Sequence, residues 1–246
     1  MNIGREIGML KIKDLTKTYP GGKLAVGGLS LSVKPGEIYG FIGHNGAGKS
    51  TTIRAVCGVM DFDGGEITVD GLDVRKNALE VKRRIAYVPD NPELYEFMTG
   101  RQYIALTADL YGVSAAQREE LTARYAQLFG MEERLDELIG AYSHGMKQKT
   151  ALIAALIHKP KLMVLDEPFV GLDPEASFHL KAVMRQLCGE GSAIFFSTHV
   201  LEVAQKLCDR VAIIRNGKLT AEGTMQDVIG DGTLEEAFMA EAEQHA

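Results

Sequence analysis

Two short stretches hold residue types whose spacing can do chemistry. The first is Gly43-His44-Asn45-Gly46-Ala47-Gly48-Lys49-Ser50, with Thr51 next, and it fits the pattern G-x-x-x-x-G-K-[ST]. Its glycines let successive backbone N–H groups converge on phosphate oxygens, and the positive end of a following helix adds to the attraction. In that arrangement Lys49 reaches the outer phosphates of a nucleoside triphosphate, and the Ser50 hydroxyl binds Mg2+. A glycine-rich turn that merely caps a helix is the plainer alternative. The second stretch, Leu162-Met163-Val164-Leu165-Asp166-Glu167, is an apolar run ending on two adjacent carboxylates. Two acids there need a cationic partner: Asp166 suits Mg2+, directly or through a water, and Glu167 suits polarising the water that attacks the γ-phosphate. Here the plainer alternative is a helix cap at a strand exit.

The elements that must carry these groups follow from hydrophobic period. Ile38–Ile42 is continuously apolar and Lys49–Val56 is helix-like, so the glycine loop sits between a strand buried on both faces and a helix. Similar buried strands recur at Leu162–Leu165 and Ala193–Phe196. Between them Leu180, Val183, Met184 and Leu187 share one helical face. Strands alternating with helices imply a parallel α/β sheet, which gathers ligands at its carboxyl ends. Residues 9–13 and 29–33 alternate apolar with polar, predicting an antiparallel β-region near the start. From about 92 to 157 strand signals vanish, and the chain reads as helices broken at Gly112, Gly130 and Gly140. The expected fold class is therefore α/β, a P-loop NTPase core with a mainly parallel sheet, an N-terminal antiparallel β-subdomain and an inserted helical subdomain. Within one unit, 1–91 with 158–230 form the core, 92–157 the helical insert and 231–246 an acidic tail.

Composition excludes several classes. With 246 residues, 46% hydrophobic and 24% charged, the chain can bury a sizeable core and is neither disordered nor fibrous. Its 27 basic and 33 acidic side chains give a net charge of −6, but Asp231, Glu235, Glu236, Glu241 and Glu243 lie in the last sixteen residues without a Lys or Arg. The body is thus nearly neutral, and no nucleic-acid partner is expected. Cys57, Cys188 and Cys208 fit neither a disulfide framework nor a zinc spacing and read as reduced core thiols. No apolar run approaches the ~18 residues of a membrane span, and MNIGREIGMLKIKD lacks the apolar region of a signal peptide. Lys82-Arg83-Arg84 reads as a solvated helix end. The tail, with Leu234, Ala237, Phe238 and Met239 interleaved among acids, reads as an amphipathic helix docked on the core.

Two further motifs follow in order: Tyr142-Ser143-His144-Gly145-Met146 at the start of a helix, and Ser197-Thr198-His199 after a buried strand. With the phosphate loop and the Asp166-Glu167 strand, they give the chain, from Tyr19 to about residue 222, a resemblance to the ATP-binding-cassette family. The stretch 142–146 resembles the family signature, usually Leu-Ser-Gly-Gly-Gln, and His199 resembles its switch histidine. That resemblance implies roles composition cannot show. Tyr19 takes the place of the aromatic that stacks on adenine, although a turn tyrosine beside Pro20-Gly21-Gly22 stays open. His199 would contact the γ-phosphate and orient the water with Glu167. Asp173, in Gly171-Leu172-Asp173-Pro174, matches the loop that communicates across a dimer; an Asp-Pro helix start is compatible with that role.

The chain departs from the family at two places. Asp90 stands where Gln is usual, and a carboxylate can ligate Mg2+ but cannot donate a hydrogen bond to water. His144 and Met146 alter the signature, while Ser143 and Gly145, the positions expected at a γ-phosphate, are retained. Together with the segment Tyr-Ser-His-Gly-Met-Lys-Gln-Lys, Asp90 resembles the branch that powers bacterial export-type transporters of the Ecs kind. The implied function is ATP hydrolysis, with Mg2+, that drives a membrane exporter. The implied partners are a transmembrane permease and a second cassette, identical or different, with the protein held at the inner face of the cell membrane through the permease. A coupling helix of that permease is expected beside Asp90 and residues 91–105. The alternative is a soluble cassette ATPase of the iron–sulfur assembly type.

Overall fold

The protein is described by a computed structural model that covers residues 8–244. Residues 1–7, half of the stretch read for a signal peptide, and the last two residues of the acidic tail lie outside it. The chain begins with the hairpin β1 (Leu10–Tyr19) and β2 (Lys23–Val33), then β3 (Ile38–Ile42) and α1 (Lys49–Val56). β4 (Gly64–Val69), β5 (Leu72–Asp73), α2 (Ala78–Lys82) and β6 (Ile85–Val88) follow. Next come α3 (Gly100–Leu110), α4 (Ala115–Leu128) and α5 (His144–Leu156), then β7 (Leu162–Asp166), α6 (Pro174–Gly189), β8 (Ala193–Thr198) and α7 (Leu201–Leu207). β9 (Arg210–Arg215), β10 (Lys218–Thr224), α8 (Met225–Ile229) and α9 (Leu234–Gln244) end the described chain.

The strands form two sheets. A six-stranded sheet has the order β10-β9-β3-β8-β7-β6, parallel except for β10 on the edge. A four-stranded antiparallel sheet has the order β2-β1-β4-β5. Alternation along β3 explains the layers. Tyr39 and Phe41 join Phe195 and Val164 in a core shared with α1 and the antiparallel sheet, while Ile38 and Ile42 join Phe196, Met163 and Leu165 in a core shared with α3–α6. Phe195 is the hinge of the first core, its ring 5.4 Å from Phe41 and 5.9 Å from Tyr39. All three cysteines are buried and free.

Register matters most at one end. Ile42 pairs with Thr198, and Asp166 pairs with Ser197, so β3, β8 and β7 end nearly level as neighbours. The segments leaving those ends are the glycine loop, the Ser-Thr-His stretch and the paired carboxylates.

The structure extends or corrects several expectations. The strands expected at 9–13 and 29–33 are the inner halves of a longer hairpin closed by Gly21 and Gly22 at φ +94° and +82°. Its outer half escapes the period-two pattern because Leu24 is exposed and Gly27-Gly28 breaks the alternation. Helix begins at Gly100 rather than near 92. Pro89 and Pro92 disfavour helix, and Thr99 sets the start with a capping box to Gln102. In the acidic tail Leu234 is fully buried and Phe238 packs on the core, but Met239 is 55% exposed and takes no part in docking. Among the described residues no helix is long and apolar enough to cross a membrane.

One largely buried titratable group sits at the start of β6, away from the ends of β3, β8 and β7 that carry the loop and carboxylates. His158, just after α5, stacks on Tyr111 with ring centroids 3.7 Å apart, and its Nε2 lies 3.3 Å from the Ile85 carbonyl oxygen. Its Nδ1 is buried without a partner, so protonation would strand an N–H in a dry site. Burial accordingly pushes its pKa down to about 4 from the ordinary 6.5. The unfolded chain therefore takes up a proton near pH 6.5 that the folded chain refuses until about pH 4. Stability falls as the solution is acidified through that window, by roughly 3 kcal/mol. His158→Phe keeps the stack and should flatten the Tm-against-pH curve between pH 6.5 and 4; an unchanged slope would count against this assignment.

Candidate functional site

The glycine loop is shaped by close approach. A Cβ on Gly43 would stand 2.5 Å from the Ile214 carbonyl, and one on Gly48 would stand 2.5 Å from that of Ala25. Gly48 also sits at φ +112° and Gly46 at +80°, conformations open to glycine at little cost. Gly48 caps α1 without any side-chain hydrogen bond, which leaves the first N–H groups of the helix directed into the loop. Lys49 is 94% buried; its Nζ donates to the Gly43 carbonyl at 2.6 Å and the His44 carbonyl at 3.3 Å.

The carboxylates are held by the next strand. Ser197 Oγ donates to Asp166 Oδ1 at 2.5 Å and accepts the Glu167 backbone N–H at 3.1 Å, so one hydroxyl fixes the Asp166 carboxylate and the Glu167 backbone. Asp166 is essentially buried, and its Oδ2 has no protein partner. A buried carboxylate oxygen left open in this way suits a cation or a water bound to one. Glu167 adopts φ +49°, a left-handed conformation that costs a non-glycine residue on the order of 1 kcal/mol. That turn aims its side chain between two partners: Oε1 lies 3.3 Å from Lys49 Nζ, and Oε2 lies 3.0 Å from His199 Nδ1. The His199 N–H also donates to Oε2 at 3.3 Å. With Nδ1–H on the carboxylate, a neutral His199 presents Nε2 outward as an acceptor, and its side chain is half exposed.

Lys49, Ser50 and Glu167 line one open cleft of about 670 Å³ together with Tyr19, Lys23, Ala25, Asn45, Gly46, Gly48, Thr51 and Asp90. Tyr19 anchors its mouth, its hydroxyl 3.2 Å from Thr51 Oγ1 and 3.4 Å from Met60 Sδ. Asp90 is an exposed wall residue whose Oδ1 accepts the Asn91 N–H at 2.9 Å. Gly43 and Ala47 are buried inside the loop, whereas the His44 side chain faces a separate small cavity shared with Phe238 and Glu241. Sequence reasoning missed Lys23 and Ala25, which enter the cleft only because the hairpin runs on past the turn. It also gave no role to Ser197 as the holder of Asp166.

The Ser143–Met146 stretch is elsewhere. Ser143 caps α5, its Oγ accepting the Met146 N–H at 3.3 Å, and none of Ser143, His144, Gly145 or Met146 lines the cleft. These residues meet Gly171 instead: a Cβ on Gly145 would stand 2.5 Å from the Gly171 carbonyl, and one on Gly171 would strike the His144 ring. Asp173 caps α6 by accepting the Ala176 N–H at 2.8 Å, and its Oδ2 pairs with Lys149 at 2.6 Å. The backbone N–H of Ala176, with help from Lys149, holds its carboxyl below the usual range.

A family model described as ABC transporter matches residues 26–170, more than half of the chain. The chain belongs to the ABC transporter family. A linearmycin resistance ATP-binding protein of Bacillus subtilis is 37% identical over 220 residues, covering 89% of this chain and 70% of that protein. The ABC-type transporter ATP-binding protein EcsA of the same organism is 35% identical over 236 residues, covering 94% of this chain and 95% of its own. A solved ATP-binding subunit of an ABC transporter superposes with a TM-score of 0.91 at 34% identity, over 95% of this chain and 99% of that one. As an ABC cassette the protein binds ATP and hydrolyses it, and the glycine loop and Glu167 meet in the cleft at the level ends of β3, β8 and β7.

Proposed function

We propose that this ABC cassette drives a membrane exporter, and that its ATP sites are completed by a second cassette. Glu167 carries the reading: one carboxylate, turned by a strained backbone, touches both the lysine of the phosphate loop and the switch histidine. A general base must reach the water it deprotonates next to the phosphate that is attacked. Glu167 is so placed, His199 orients it, and the phosphates of ATP offer Lys49 stronger acceptors than the loop carbonyls it holds now. Tyr19 and the residues Gly43 to Thr51 take the nucleotide itself.

The metal set fits Mg2+. Asp166 Oδ2 is open and buried, Ser50 is the second residue of α1, and Asp90 lines the same cleft as Ser50. No group of three or more His, Cys, Asp or Glu able to hold an ion occurs among the described residues. That suits Mg2+, which relies on one or two carboxylates plus substrate phosphates. When bound, it would offset the charge that builds on the phosphates during transfer.

Ser143 caps α5, Gly145 lies in its first turn and neither lines the cleft, which supports their serving a nucleotide on another chain. An identical copy or a related cassette can supply the complement. Residues 91–105 give the permease its seat: Tyr95 is 52% and Phe97 76% exposed, with rings 5.7 Å apart, and Tyr103 lies 6.1 Å from Tyr95. An exposed aromatic pad of this kind marks a protein partner. Export is supported by a Burkholderia orbicola relative named Nod factor export ATP-binding protein I, 37% identical over 220 residues. The protein then stands at the inner face of the membrane through its permease.

Glu167→Gln keeps the shape and removes the base. It should retain ATP, accumulate a dimer by light scattering and lose at least a hundredfold in turnover; near-normal turnover would refute the assignment. Phe97→Asp should release the permease in co-purification from solubilised membranes while the isolated chain keeps its ATPase rate. Equal losses in both measurements would contradict the docking site.

A further inference from the structure

The loop that carries the aromatic pad is stitched to the stretch leading into the signature. The Gly140 N–H donates to the Glu96 carbonyl at 3.0 Å, and the Ile139 N–H donates to the Met98 carbonyl at 2.8 Å. Thr99 bridges Leu138, and the Arg101 N–H donates to the Leu135 carbonyl at 2.8 Å. The Arg101 guanidinium forks onto Asp136 at 2.7 and 3.0 Å. Gly140 is needed here, because a Cβ would press to 3.2 Å on the Glu96 carbonyl oxygen.

Glu96 is gripped at both ends. Its carbonyl takes Gly140, and its carboxylate takes Lys147 Nζ at 2.6 Å. Lys147 lies in the first turn of α5, and its N–H donates to the Ser143 carbonyl at 3.0 Å. Two residues further on, Lys149 holds Asp173. At about 100° per residue, 147 and 149 leave the helix on roughly opposite sides. The turn that presents Ser143 and Gly145 is thus held between the pad loop and the Gly171–Asp173 loop. Exposed ion pairs add little to stability, so such a pair is better judged by what it positions than by what it stabilises.

We propose that Glu96 and Lys147 are positioning residues that tie the pad loop, residues 95–99, to the signature turn, so that displacing either one moves the other. The proposal rests on the reading that Ser143 and Gly145 engage a nucleotide on a second chain. Coupling between two sites is reciprocal, so closing that nucleotide site must change the pad loop even with no permease present.

The test uses the full chain carrying E167Q, with ATP and Mg2+, and reads dimer formation by light scattering alongside amide hydrogen exchange of peptides spanning 95–99. The expected result is ATP-dependent slowing of exchange in 95–99 of about threefold or more. Glu96→Gln or Lys147→Gln should remove most of that slowing while the dimer still forms, and the exchanged pair E96K/K147E should restore it. A dimer whose 95–99 response is untouched by the single changes, or not rescued by the exchanged pair, overturns the proposal. No ATP-dependent dimer in the parent E167Q chain overturns the trans-site reading beneath it, and the light scattering distinguishes the two failures.

Discussion

Three neighbouring parallel strands end level, and the protein's chemistry depends on that. β3, β8 and β7 are in register to their last residues, with Ile42 beside Thr198 and Ser197 beside Asp166. Strands in a sheet lie about 4.8 Å apart, so whatever leaves their ends is delivered within a few ångströms without help from loop sequence. The register in turn is held by burial on both faces: a one-residue slip of β8 would turn Phe195 and Phe196 into each other's cores. Packing thus aligns a lysine, two carboxylates and a histidine that are far apart in the chain.

The site keeps charge in partial balance. Lys49 rests on loop carbonyls and faces Glu167, Glu167 is shared with His199, and Asp166 is satisfied on one oxygen only. Each of these contacts is weaker than the one a phosphate or a divalent cation would offer. Substrate binding therefore exchanges poor partners for good ones. On the proposed function, loss of the γ-phosphate removes that gain and loosens the hold of the site on what remains.

Much of this is legible in the residues. The glycine loop, the strand ends at 42, 165 and 196 and the helix Lys49–Val56 follow from runs of apolar residues broken by glycine, because strands buried on both faces leave no polar ambiguity. β4, β5 and β10 carry weak patterns: β10 reads Lys218-Leu219-Thr220-Ala221-Glu222 on an edge, where one face stays wet and pairing with β9 is what fixes it. Contacts that join distant segments were not legible at all. Ser197 holding Asp166, Lys149 holding Asp173 and Glu96 holding Lys147 each require the folded sheet or bundle to bring the pair together. Met239 shows the opposite error, an apolar residue in an amphipathic pattern that the tail leaves in water.

Ser143 and Gly145 do not line the cleft, so the proposed function requires a site shared between chains. Ser143→Asp keeps the α5 cap and adds a negative charge against phosphate; Lys49→Met keeps the buried stem and removes the ammonium. Each variant alone should be nearly inactive. In a co-expressed mixture, a two-fold pair of the two variants has one site with both an intact lysine and an intact serine. The mixture should recover ATPase activity, up to about a quarter of the wild-type rate for random pairing of independent sites. Activity no greater than the two variants measured separately would contradict a shared site.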